Sequence, residues 1–73
     1  MLLDEAPIRA TAYRHGITEP EIRHALRNII RYDDERDEFT MYVGPRDVSG
    51  QLLEIGVLHA GGGPLVIHAM RCR

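Results

Sequence analysis

The sequence predicts an α+β domain in which two N-terminal helices pack on one face of a three-stranded antiparallel sheet, in the order α-α-β-β-β. Three observations lead there. Helix punctuation (capping residues, first-turn prolines and an apolar stripe at helical spacing) is confined to the first half of the chain. The second half alternates apolar and polar residues between short Gly/Pro-rich stretches, the pattern of strands joined by tight turns. Finally, 73 residues without repeats or a linker admit one domain, spanning 1–73, near the lower limit for a self-sufficient core.

The first predicted helix covers 4–15, "DEAPIRATAYRH". Asp4 can cap its start, Pro7 suits its first turn, and Gly16 suits the position just beyond its end. Thr11 and Tyr13 are poor helix formers within it. The second helix has a fuller set of signals. Thr18-Glu19-Pro20-Glu21 reads as a capping box, Ile17 and Ile22 as the two halves of a hydrophobic staple. Ile22, Ala25, Leu26, Ile29 and Ile30 form an apolar stripe that carries this helix to about Arg31. The acidic "DDERDE" (33–38) reads as a solvated loop. Strands are expected at 39–43, 51–59 and 65–72, separated by turns at "GPRDVSG" and "AGGGP". Short connections make neighbouring strands antiparallel.

Strand alternation suggests a first candidate site. With Phe39, Met41 and Val43 facing the helices beside Leu53, Ile55, Val57, Leu65, Ile67 and Ala69, the opposite face receives Tyr42, Glu54 and His68 together. A carboxylate that orients a histidine, next to a phenol, can act as a general acid/base group. The same three residues would also serve as the wet face of a half-exposed sheet. The grouping depends on register, because a slip of one residue in the first hairpin moves Tyr42 to the core side.

Charge is segregated along the chain. The net charge is −2, which argues against indiscriminate coating of nucleic acid. All nine basic residues are Arg, a choice that suits phosphate recognition or reflects genome composition. Arg23 and Arg27, with Arg31, fall on one helix face; they could track phosphates or pair with Glu19 and the acidic run. Arg71 and Arg73 close the last strand, where two guanidinium groups could stabilise charge on a transferring phosphate or stand solvated at a frayed end. The single Cys72 allows no internal disulfide. The four histidines have no zinc-like spacing, and "AGGGP" lacks the Lys-Ser/Thr and helix of a phosphate loop, so no metal or cofactor is expected. No apolar run exceeds three residues, so a membrane span and a signal peptide are not expected and a cytoplasmic location is. A core this small would gain from self-association.

"RHGIT" followed by "EPEIRHAL" resembles the basic-His-Gly-Ile/Val-Ser/Thr junction of BrnT-type toxins and related small RelE-like proteins. "YVGPRDVSGQLLEIGV" resembles their glycine-bounded hairpin, and "LVIHAMRCR" their closing strand with its basic tail. The resemblance implies a type II toxin–antitoxin toxin: a metal-independent ribonuclease that acts on RNA, free or on the ribosome, and is neutralised by a cognate antitoxin. It implies roles for Arg14 and His15 at the junction and for Arg71 in the last strand. With the residues reached by the face and charge arguments, the expected catalytic set is His15, Glu54, His68 and Arg71. The expected RNA contacts are Arg14, Tyr42, Arg73, Arg23 and Arg27. The competing expectation is a non-catalytic protein-interaction module related to such toxins.

Overall fold

Residues 2–73 are described by a computed structural model. One α-helix, α1 (Glu19–Arg27), precedes four strands: β1 (Arg31–Arg36), β2 (Phe39–Pro45), β3 (Leu52–Ala60) and β4 (Gly63–Arg71). The strands form a single antiparallel sheet in the order β1-β2-β3-β4. The expected arrangement of two helices on three strands is thus corrected twice: one helix is replaced by other structure, and the sheet gains a strand.

Helix α1 forms as its sequence directs. Thr18 Oγ1 accepts from the Glu21 N–H at 3.4 Å, and the Thr18 N–H donates to Glu21 Oε1 at 2.8 Å, closing the capping box. Ile17 and Ile22 are both buried, as a staple requires. The helix ends at Arg27 rather than Arg31, where the Asn28 side chain donates to the His24 carbonyl at 2.8 Å. Beyond it the Ile30 N–H already bonds to Val43 O at 2.8 Å, so the sheet claims the backbone that would have continued the helix.

The other predicted helix, 4–15, is not formed. Two single 3₁₀ turns, Leu3–Glu5 and Ala10–Tyr13, flank a stretch that pairs with the outer edge of β4. The Val66 N–H donates to Pro7 O at 2.9 Å and the Arg9 N–H to Val66 O at 2.8 Å. The Thr11 hydroxyl adds a bond to Ile67 O at 3.0 Å. A helix this short is marginal in water, whereas an open strand edge offers the same backbone groups long-range partners.

The acidic stretch is a strand, not a loop. Its residues in β1 are all exposed, and a two-residue turn at Asp37-Glu38 joins it to β2. Both turn residues have positive φ, 49° and 67°, as the right-handed twist of a tight hairpin demands. Glu35 has no partner in β2, because the register shifts between Asp34 and Arg36.

Register decides the faces. Tyr42 stands opposite Ile55, and Ile55 opposite Ala69, so these three share the helix side. Phe39, Met41 and Val43 therefore lie on the open side with Glu54, Leu58 and Met70, reversing the expected assignment. Leu65, opposite Leu58, joins them there. The core sits between the sheet and α1 and contains Ile22, Ala25 and Leu26 with Leu53, Ile55, Val57, Val66 and Ala69, closed by Ala6, Ala12 and Ile17. The largest fully buried side chains, Ile22, Leu53, Ile55, Val57 and Val66, contribute roughly 1.5–3 kcal/mol each through burial. Gly44 lets the helix come close: a Cβ there would lie 2.2 Å from the Ala25 carbonyl oxygen.

Candidate functional site

A β-bulge places the central histidine. Gly56 pairs with His68 and Val57 with Val66, leaving Ile67 without a partner. Regular alternation from Val66 would put His68 on the core side. The extra residue turns it to the open face instead and returns Ala69 to the core. Glu54 lies on the same face, diagonal to His68, with Oε1 3.5 Å from His68 Nε2. Both side chains are about one-third exposed, at 29% and 32%.

His15 reaches this pair from the other end of the chain. Ala12 is buried in the core and Thr11 is bonded to Ile67, which fixes the Ala10–Tyr13 turn along β4. Gly16, at φ 80°, then reverses the chain, with its N–H bonded to Tyr13 O. His15 is left exposed at this corner, its ring edge-on to His68 with the centroids 5.8 Å apart and the planes at 72°. Beside it a cleft of about 290 Å³ is lined by His15, Met70, Arg71, Cys72 and Arg73. Among the described residues, Arg14, Arg71 and Arg73 take part in no ion pair. Burial, reinforced by the Glu54 carboxylate, pushes the Cys72 thiol above its ordinary value despite the opposing Arg31. The thiol is thereby kept protonated and unsuited to act as a nucleophile.

The other expected residues are placed elsewhere. Tyr42 is on the helix side, its hydroxyl 2.9 Å from His59 Nε2 and its ring near those of Tyr32 and His59. Burial raises the Tyr42 phenol above its ordinary value. Arg23 donates to the carbonyls of Asp4 and Ala6, each at 2.9 Å, and pairs with Glu19; Arg27 pairs with Asp4 at 3.6 Å. These two arginines tie the N-terminal segment to α1 rather than forming an open stripe. His24 Nδ1, 3.0 Å from the Pro45 carbonyl, acts as a donor and fastens α1 to the end of β2. His59 carries no local signal of a role, and its partnership with Tyr42 becomes visible only once the β2–β3 register is known.

The arrangement can therefore supply two imidazoles and a carboxylate that orients one of them; the guanidinium groups of Arg71 and Arg73 line the cleft on the His15 side, Arg71 standing opposite Leu53 on the face of β4 away from His68. Among the described residues no group of three or more His, Cys, Asp or Glu is placed to hold a metal ion. Among the described residues no helix is long and apolar enough to cross a membrane. Comparison with known protein families, curated proteins and solved structures finds no match for this chain.

Proposed function

We propose that the protein is a ribonuclease-type toxin of a type II toxin–antitoxin system, which acts in the cytoplasm and is held in check by a cognate antitoxin. The observation that carries this reading is the meeting of His15 and His68 at 5.8 Å, next to a cleft lined by Arg71 and Arg73. The order of motifs shared with BrnT-type and RelE-like proteins supports it from the sequence side.

In the reaction, a ribose 2′-oxygen forms a bond to the adjacent phosphorus while the bond to the 5′-oxygen breaks. The products are a 2′,3′-cyclic phosphate and a free 5′-hydroxyl. Glu54 accepting from the Nε2–H of His68 leaves Nδ1 with the lone pair, which makes His68 the base that takes the 2′-OH proton. His15, exposed and without a carboxylate partner among the described residues, returns a proton to the departing oxygen. Arg71 and Arg73 offset the charge that builds on the phosphate.

The test is incubation of the purified protein with a labelled single-stranded RNA, followed by identification of the product ends. Cyclic phosphate ends that disappear in His68→Ala support the reading; intact RNA across a panel of sequences and on ribosomes sinks it. A second reading, a non-catalytic interaction module, draws on the half-buried Phe39, Met41, Leu58, Leu65 and Met70 that surround Glu54 and His68 on the open face. It predicts a stoichiometric protein complex that is indifferent to His68→Ala.

A further inference from the structure

The two edges of the sheet are treated differently. The outer edge of β4 is occupied: Pro7 and Arg9 bond to Val66, and Thr11 to Ile67. The outer edge of β1 has no such cover among the described residues; β2 is the only strand it pairs with, and all its six residues are exposed. An antiparallel edge strand turns alternate N–H and C=O groups outward, and these are a template for a further strand. We infer that the β1 edge is a docking site for an extended, arginine- or lysine-bearing segment of a partner protein, which adds as a fifth strand.

Charge selects this occupant. Asp33, Asp34, Glu35, Asp37 and Glu38 stand on β1 and its turn against Arg31 and Arg36. A second copy of the chain would set these carboxylates against their own kind, and an RNA strand would meet the same repulsion. Aromatic surface adds to the attraction for a cation. Tyr32, 60% exposed on β1, lies with its ring 5.9 Å from that of Tyr42 on the helix side. A guanidinium or ammonium group of the incoming strand can rest on these rings while Asp34 stands on the same face. The acids of the edge thus act in two ways: they deter self-pairing, and they favour a basic strand. The site is separate from the His15–His68 pair and the neighbouring arginine cleft, which lie at the β4 edge, so it holds whether or not the protein cuts RNA.

The experiment uses the intact protein and a fluorescent peptide of alternating arginine and valine. Controls are the same peptide with glutamate in place of arginine and the same peptide N-methylated at alternate backbone positions. The expected result is saturable binding by anisotropy, slowed amide exchange within 31–36, and weakening of at least about tenfold on N-methylation or in the Asp33→Lys/Glu35→Lys variant. Glu35 is free of β2 pairing and both side chains are exposed, so circular dichroism should report an unchanged fold for that variant. No binding would overturn the proposal. So would binding that ignores N-methylation, protection that falls elsewhere, or 31–36 amides already protected in a dimer of the free protein.

Discussion

His15 and His68 meet edge to face at 5.8 Å, one held by a glycine corner and the other by a bulge in the edge strand. Neither is buried, so replacing either should leave the core intact. His15→Ala and His68→Ala are each expected to lower RNA cleavage by about 10²–10⁴-fold, the usual range for a general acid or base. Urea melts should move by less than about 0.5 kcal/mol, as for substitutions at exposed positions. Comparable losses of activity and stability together would mean that the pair is structural.

In the proposed reaction Glu54 acts through His68 and not on substrate. Glu54→Gln should keep the side chain's shape and lower kcat by about tenfold with KM little changed, because an amide can donate as well as accept and no longer fixes the His68 tautomer as a carboxylate does. An unchanged kcat would remove Glu54 from the positioning role.

Two glycines in the strands predict different failures. At Gly44 a Cβ would strike the Ala25 carbonyl oxygen, a backbone atom that cannot step aside. Gly44→Ala should therefore cost about 3 kcal/mol, the upper end of overpacking, or abolish folding, measured by denaturant titration. At Gly56 the nearest atoms are Phe39 Cζ at 2.7 Å and His68 Cβ at 3.0 Å. The Phe39 ring can swing away, so Gly56→Ala should fold but disturb His68, reducing cleavage more than stability.

The tight β1–β2 turn stores strain. Glu38 sits at φ 67°, a region that costs a non-glycine residue roughly 1–2 kcal/mol, while glycine gives back about 0.5–1 in chain entropy. Glu38→Gly is expected to stabilise by about 0.5–1 kcal/mol. The backbone bond from the His59 N–H to Glu38 O, 2.7 Å, does not depend on the side chain. A lower melting temperature would argue that the carboxylate contributes more than the strain removes.

Stability should depend on pH through Glu21. Its bond to Arg46, at 2.5 Å, and the Thr18 backbone bond hold its carboxyl below the ordinary glutamate value. A folded-state value that is depressed gives stability that is fully present above the unfolded value and is lost as pH falls through the folded one. Melting temperatures of the wild type and Glu21→Gln should differ at neutral pH and converge in acid. A gap that persists below the folded-state value would assign the effect to shape rather than charge.

How much was legible differs from element to element. Thr18, Pro20, Glu21, Ile17 and Ile22 specify the start of α1 through contacts within a few residues of one another, and the helix begins where they place it. The strands expected at 39–43, 51–59 and 65–72 are present at 39–45, 52–60 and 63–71, the pairing carrying them into residues that read locally as turns. Local preference does not determine which strand faces which way. The pairing of Tyr42 with Ile55 is a long-range choice, and a one-residue change in it exchanges the two faces. So Tyr42 leaves Glu54 and His68, which stay together only because the Ile67 bulge compensates within β4.

By itself, then, the sequence determined the capped helix, the antiparallel strands after it, and the separation of acid from base along the chain. Tertiary structure decided the rest. It drew 7–11 out of a marginal helix onto the edge of β4, where backbone groups find partners. It turned the acidic run into β1, since β2 offered an edge and the side chains could remain in water. The first of these steps, together with the Ile67 bulge, brought His15 to His68. Those outcomes depend on free energies of long-range pairing that no local window contains.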